Sequence, residues 1–158
     1  VILLPHFGGK STSEIMSNAS GAFMGLTLKT TLNDLTRSVL EGVAYMLCEM
    51  LEQLNLNGVY ADKILSMGGG ANSRIWGEIK ASVCGTNIEV NRYGETTALG
   101  AAMLGAVACG EYDSVCAAAK IVKDSGEIIT PNAEWMNRYE KIYEKYKKIY
   151  KLLKPIFK

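Results

Sequence analysis

Three consecutive glycines, Gly68 to Gly70, lie between a segment that predicts a β-strand and a segment that predicts a helix. The strand is expected over residues 61–65 and the helix over residues 74–83. Glycines remove every Cβ at a sharp bend, and they let a flat or anionic ligand lie against main-chain N–H groups at a helix N-terminus. The order of strand, glycines and helix therefore favours a nucleotide site.

The composition is that of an ordinary globular domain. The chain has 158 residues, of which 48% are hydrophobic and 21% are charged, so one domain with a substantial core is expected. A formal net charge of +1 gives no general attraction to nucleic acid or to a membrane, and no apolar run reaches transmembrane length. We therefore predict neither of these partners, and a cytoplasmic location. The apolar start without a methionine suggests a piece of a longer protein.

The cysteines carry no pattern of a metal site or of a disulfide framework. They are Cys48, Cys84, Cys109 and Cys116, with no CxxC pair, and His6 is the only histidine that could join them. Reduced thiols in a cytosolic protein are the expected state.

Strands and helices alternate along the chain, which is the pattern of a layered α/β domain. The longest helix is expected from Thr31 to Asn57, and its two adjacent apolar rows predict packing on two sides. The first row consists of Val39, Val43, Met46 and Met50, and the second of Leu40, Ala44, Leu47, Leu51 and Leu54. The other predicted elements are a loop over 6–20, an extended segment over 21–28, strands over 86–90 and 127–130, helices over 96–109 and 113–122, and a last helix from Pro131.

Four ordered segments resemble one known family. Residues 21–26 (GAFMGL) and, after seven residues, 34–41 (DLTRSVLE) resemble the second signature of the FGGY family of carbohydrate kinases. Residues 68–76 resemble the adenosine-binding turn of that family in its xylulokinase-like form, and residues 95–102 resemble the helix that follows its nucleotide strand. The segment similar to its C-terminal helix is marked by Pro131, Tyr139, Tyr143 and Tyr146.

That resemblance implies an α/β, actin-like ATPase (ribonuclease H-like) fold, with residues 1–158 as part of the C-terminal nucleotide-binding domain of a two-domain sugar kinase. The implied activity is ATP-dependent phosphorylation of a small sugar, xylulose before others, with ATP and Mg²⁺ as cofactors. The sugar site, the metal ligands and the general base would lie in an N-terminal domain outside this chain. We therefore predict no catalytic residue here and no activity of the chain alone. The implied adenosine-binding residues are Gly68, Gly69, Gly70, Ala71, Asn72 and Ser73.

Other interpretations remain open at this point. The glycine turn is not a Walker loop, since no Gly-Lys-Ser/Thr follows, and a dinucleotide site would need a third glycine at Ser73. Asn72 is alternatively the cap of the following helix. The chain could also be a non-catalytic actin-like interaction module, a NAD enzyme, or part of a kinase for ribulose, gluconate or glycerol. The expected partners are the sugar and ATP, with a homodimer as a candidate assembly.

For several residues we prefer a structural interpretation over a chemical one. Glu41 is expected to be a carboxylate hydrogen-bonded to a loop backbone, and His6 a loop residue. The small-residue helix over 96–109 is expected to be tightly packed, with nucleotide contact at Thr96 or Thr97 as the second interpretation. The lysines of the last helix are expected to form a solvated face, and they are Lys141, Lys145, Lys147, Lys148, Lys151, Lys154 and Lys158.

Overall fold

The structure is a computed structural model that describes residues 1–91, 95–120 and 126–157. The predicted end of the helix over 113–122 and the last lysine, Lys158, lie outside the described residues. Among those that are described, no helix combines the length and the apolar character that a membrane crossing needs.

Five strands and five α-helices make up the described chain, and they alternate as the sequence predicts. The strands are β1 (Ile2–Leu4), β2 (Ala22–Met24), β3 (Lys63–Ser66), β4 (Asn87–Val90) and β5 (Glu127–Ile129). The helices are α1 (Leu32–Leu56), α2 (Arg74–Cys84), α3 (Thr96–Ala108), α4 (Val115–Ala119) and α5 (Ala133–Leu153). Two 3₁₀ helices, Gly69–Asn72 and Lys154–Phe157, complete the order.

The strands form two small sheets. β1 and β2 pair antiparallel, while β3, β4 and β5 form a three-stranded sheet in that order. β3 and β4 are parallel, with Ile64 opposite Ile88, and β5 is antiparallel to β4, with Ile129 opposite Ile88. β5 therefore lies at an edge of this sheet. The parallel pair is joined through α2, so the chain between the two strands carries the glycine turn and the helix behind it.

The main core lies between α1, α5 and β1 and is rich in tyrosine. Tyr45 of α1 meets the rings of Tyr139, Tyr143 and Tyr146 of α5, at centroid distances of 6.3, 5.8 and 5.1 Å. Tyr150 continues the buried row of α5 at the spacing of four and three that defines one helix face. The last helix predicted from Pro131 is thus present, and tyrosines form the centre of its buried face.

The termini of α1 follow the sequence, but its packing does not. Thr31 and Asp34 form a capping box at the N-terminus, each side chain accepting from the other residue's backbone N–H. One predicted apolar row is exposed rather than packed: Val39 is 39% exposed and Met50 is 50% exposed. Within the described residues, α1 packs on β1, α2 and the tyrosines of α5, and this row lies outside those contacts.

The small-residue helix α3 also departs from the expectation of tight packing. None of its residues is buried, and its main neighbour among the described elements is α4. Leu104, near its middle, is 61% exposed. The small side chains therefore leave a nearly bare helix surface instead of a close contact within the described chain.

The basic face of α5 is largely solvated, as predicted. Lys141, Lys145 and Lys148 are exposed. Lys147 pairs instead with Glu144 at 2.7 Å and with Glu52 of α1 at 3.5 Å. Such exposed pairs contribute little to stability, typically about 0.2–1 kcal/mol, so the aromatic face carries the docking of α5.

The loop over 6–20 contains a buried polar cluster that the sequence did not predict. His6 is fully buried with its ring edge-on to Tyr150, at a centroid distance of 5.3 Å. Lys10 is also buried, where it pairs with Glu49 of α1 and donates to the Thr12 hydroxyl at 2.9 Å. His6 was expected to be an ordinary loop residue. Burial and the nearby Lys10 ammonium lower the pKa of His6, while Glu49 opposes that shift.

The buried His6 should make stability fall in mild acid. Its unfolded-state pKa is near 6.5, and the folded pKa is lower, so the folded chain favours the neutral ring. The stabilisation is complete above about pH 6.5 and is lost as the pH falls toward the folded pKa. We expect urea unfolding to give a lower free energy of unfolding at pH 5.5 than at pH 7.5. In His6→Phe that difference should shrink, and an unchanged pH dependence in this variant would contradict the assignment.

Candidate functional site

The glycine turn lies at the carboxyl end of the parallel strand pair. It follows Ser66, the last residue of β3, and the next strand β4 ends beside it. The backbone N–H of Asn91 donates to the carbonyl of Ser66 at 2.9 Å, which holds the two strand ends together. Ligands of open α/β sheets bind outside the carboxyl ends of the strands, so this edge is the natural place for a site.

One face of the turn is bare backbone. Gly68 has φ +77° and ψ −175°, a conformation that is essentially reserved for glycine. Its carbonyl accepts from the N–H of Ala71 at 3.0 Å and begins the 3₁₀ turn. A Cβ built on Gly68 or Gly69 would meet no atom within 4 Å, so both positions face open space.

The indole of Trp76 closes the opposite face of the turn. A Cβ on Gly70 would lie 2.6 Å from this ring, which explains why a glycine is needed there. The indole N–H donates to the carbonyl of Leu40 in α1 at 3.1 Å. Lys80 lies over the ring, with its ammonium 5.0 Å from the centroid, and donates to the Ser66 hydroxyl at 2.9 Å. Partial burial lowers the pKa of Lys80.

The turn divides into residues that pack and residues that remain accessible. Gly70 lies against Trp76, and Ala71 is buried. Ser73 caps α2, because its hydroxyl oxygen accepts from the N–H of Trp76 at 3.4 Å. The cap is therefore Ser73, and the alternative of Asn72 as cap was wrong. The exposed Asn72 is not the residue that satisfies the helix end.

A groove of about 320 Å³ opens beside the turn. Asn72 of the turn, Asn91 directly after β4 and Glu127 of β5 supply its polar side chains together with Arg74. Its remaining lining residues are Ala71, Val90 and Ile129. The walls thus combine two amides, a carboxylate and a guanidinium with a few apolar side chains, which suits a ligand that has both a flat apolar part and hydrogen-bonding edges.

Arg74 is a site residue that the sequence did not single out. Its guanidinium bonds Glu78 through Nε at 3.1 Å and Glu127 at 2.7 Å. It also lines a second groove of about 320 Å³, which runs on toward Trp135. The pair with Glu78 has the i, i+4 spacing and was visible in the sequence. The contact with Glu127 spans 53 residues and needed the fold.

Two other predicted residues lie elsewhere in the fold. Thr96 and Thr97, at the start of α3, are not among the residues that line the groove. Glu41 is structural, as expected, but its partners are side chains instead of a loop backbone. It accepts from Arg37 Nε at 2.9 Å and from the Tyr139 hydroxyl at 2.9 Å.

The described residues offer no ligand set for a divalent metal ion. Across 1–91, 95–120 and 126–157, no group of three or more His, Cys, Asp or Glu side chains converges.

A match to a family model shows to which protein family the chain belongs. The model of the C-terminal domain of FGGY carbohydrate kinases matches residues 1–109. The chain belongs to the FGGY family of carbohydrate kinases. Members of this family are phosphotransferases that act on alcohol groups. Its second signature and its glycine turn both lie within the matched residues, so the resemblance predicted from the sequence is confirmed.

Similar proteins agree with that membership. The FGGY chain is 31% identical to a xylulose kinase of Staphylococcus epidermidis over 145 residues, which cover 90% of this chain and 29% of that protein. Among solved structures, a xyloylose kinase from Brucella ovis matches with a TM-score of 0.85 and 27% identity, over 99% of this chain and 32% of the other. Plasmodium falciparum glycerol kinase with ADP matches with a TM-score of 0.75 and 26% identity, over 95% and 30%.

These matches establish the fold. The FGGY chain has the α/β, actin-like ATPase architecture of the sugar kinases and represents part of their C-terminal half. It spans about three tenths of the length of the relatives that it matches. The fold class predicted from the sequence is therefore confirmed, while the binding role of residues 68–73 stays a prediction.

Replacing Gly68 and replacing Gly69 should lower the free energy of unfolding by different amounts. Gly68→Ala places a Cβ on a backbone with φ +77°, and we expect a loss of about 1–2 kcal/mol in the free energy of unfolding. Gly69→Ala has open space and no positive φ, so a change within about 0.5 kcal/mol is expected. Urea unfolding of the two variants beside the wild type measures both, and equal losses would contradict this description of the turn.

Proposed function

We propose that this chain is the adenosine-binding part of an ATP-dependent sugar kinase, with xylulose as the favoured acceptor. The observation that carries the proposal is the bare backbone of Gly68 and Gly69 at the carboxyl end of a parallel strand pair, in a turn whose Ala71 and Asn72 line an open groove. Adenine is flat and needs close contact over its ring face, which a turn without side chains permits.

The chain's own contribution would be to bind and orient the nucleotide. Gly68 and Gly69 would support the base, and the amides of Asn72 and Asn91 are placed to bond its edge or the ribose hydroxyls. When bound, ATP would supply the γ-phosphoryl group to a sugar hydroxyl. Such transfers depend mainly on positioning and electrostatic stabilisation of the reacting groups. Fixing the adenosine part of ATP would therefore contribute to catalysis without any covalent bond to the protein.

The remaining parts of the kinase would lie outside this chain. The relatives are about three times longer, and the described residues lack a metal ligand set. The exposed apolar rows of α1 and α3, with Val43 37% and Leu104 61% exposed, are surfaces of the kind that further protein covers. We assign the sugar site, the general base and the Mg²⁺ ligands to that further protein, and we place the enzyme in the cytoplasm, where ATP is the donor. A homodimer stays a prediction.

Xylulose is favoured by two observations. The glycine turn has the xylulokinase-like form, with Gly68 in its first position. A xylulose kinase is also 31% identical over 90% of the chain. The likeness to a glycerol kinase keeps glycerol among the acceptors to be tested, together with ribulose and gluconate.

Nucleotide binding should be weakened in Gly69→Val and retained in a matched glycine variant. Calorimetric titration of ATP into the wild type should show binding, while the valine side chain would occupy the space of the base and weaken it by about tenfold or more. Gly8→Val is the control, because Gly8 also faces open space without a positive φ but lies in the loop over 6–20. Equal binding by all three proteins would reject the site, and binding of NAD in preference to ATP would reject the kinase class.

Kinase activity should require the complete polypeptide. The 158-residue chain alone should give no sugar-dependent release of ADP, because the sugar site, the general base and the Mg²⁺ ligands are assigned to protein outside it. The polypeptide encoded by the complete reading frame should phosphorylate one acceptor in a panel of pentoses, hexonates and polyols. Turnover by the chain alone would overturn the division of roles. Nucleotide binding without phosphorylation of any acceptor would favour a non-catalytic module.

A further inference from the structure

Two cysteines from different helices meet at the interface between α1 and α2. Cys48 lies in α1, and Cys84 is the last residue of α2. The sulfur of Cys48 is 3.8 Å from the carbonyl oxygen of Val83, the residue directly before Cys84. The Cys48 thiol donates to that carbonyl, so its sulfur lies beside the backbone that leads into Cys84. Both cysteines are half-buried and free.

The helices hold this pair in a fixed register. The indole of Trp76 donates to the carbonyl of Leu40, 36 positions earlier, and the Cys48 thiol donates to the carbonyl of Val83, 35 positions later. Both contacts therefore belong to two helices that run in the same direction, and along α1 they are eight residues or about 12 Å apart. Each of the two thiols lies on a helix, and these helices contact each other at two places. The proximity of the thiols is therefore fixed by helix packing and does not depend on a loop.

The surroundings make the two thiols unequal. Donation from Cys84 lowers the pKa of Cys48, and the ammonium of Lys147 acts in the same direction, against burial and Glu52. The pKa of Cys84 is raised by its bond to Cys48 and by burial, with Lys80 opposing. Cys48 is thus the thiol that more readily becomes the nucleophilic thiolate, and Cys84 is the neighbour placed to react second.

We propose that Cys48 and Cys84 form an oxidation site for peroxide that closes into an intramolecular disulfide between α1 and α2. The Cys48 thiolate attacks a peroxide oxygen, the O–O bond breaks, and a sulfenic acid forms while the leaving hydroxide takes a proton to become water. The Cys84 sulfur then attacks the sulfenic sulfur, the S–O bond breaks, and a second water leaves with the Cys84 proton. The two thiols lose two electrons and two protons, and hydrogen peroxide is reduced to two waters.

The link would enclose the segment that carries the glycine turn. The loop between Cys48 and Cys84 contains β3, the turn and α2. A bond at the C-terminus of α2 would fix this helix on α1 while leaving its N-terminus, next to Gly68, open. In a reducing compartment such a disulfide is reversible and reports the local oxidant level.

The experiment uses the chain with Cys109→Ser and Cys116→Ser, which removes the two exposed thiols. The folded protein is treated with hydrogen peroxide, alkylated, and analysed by peptide mapping with and without dithiothreitol. We expect a linked peptide pair that contains Cys48 and Cys84, a joint loss of alkylation of about tenfold, and full return on reduction. The melting temperature should rise by on the order of 5 °C in the oxidised form, since the link restricts the unfolded chain.

Single variants keep the outcome decisive. In Cys84→Ser, the Cys48 sulfenic acid should accumulate and be trapped by dimedone, whereas Cys48→Ser should leave Cys84 largely unreacted. The proposal is overturned if both thiols are alkylated after peroxide treatment as fully as before it, or if they oxidise independently without a link. It is also overturned if a non-reducing gel shows that the link joins different molecules. None of these readouts depends on nucleotide binding, so failure here and failure of the proposed kinase role are separate results.

Discussion

The contacts of one indole ring, that of Trp76, connect the parts of the molecule that surround the candidate site. Its N–H bonds the backbone of α1 at Leu40, its ring lies against Gly70, and Lys80 covers the other side while reaching Ser66 at the end of β3. Helix, turn and strand are thus positioned by a single large side chain. The ring occupies the space that a Cβ at Gly70 would need. The position of α2 therefore requires a glycine at this point of the turn.

Local patterns were enough to predict most of the elements. The glycine run between strand and helix, the start of the longest helix at Thr31 and the last helix after Pro131 were all predicted from the sequence, and each agrees with the structure. These features depend on a few neighbouring residues, whose steric and hydrogen-bonding preferences act before any tertiary contact forms. The family could be predicted for the same reason, since its marks are short segments with fixed spacing.

Features that depend on which surfaces meet could not be predicted. The apolar row with Val39 and Val43 looks no different in sequence from a buried one, yet it is exposed, because β1, α2 and α5 pack on other parts of α1 within the described residues. His6 is buried by Tyr150, a residue 144 positions away. Arg74 enters the groove through a contact with Glu127 that no local pattern encodes. In the candidate site, the turn was predicted and its walls were not.

The buried ion pair of Lys10 and Glu49 couples the substitutions that can be tolerated at these two distant positions. Losing either partner alone would strand a charge in an apolar setting, a step that costs about 3–5 kcal/mol. An apolar pair or a reversed pair could fill the same space, but each requires two codon changes whose intermediate is unfavourable. Descendants of this chain should therefore vary at these two sites in concert or not at all.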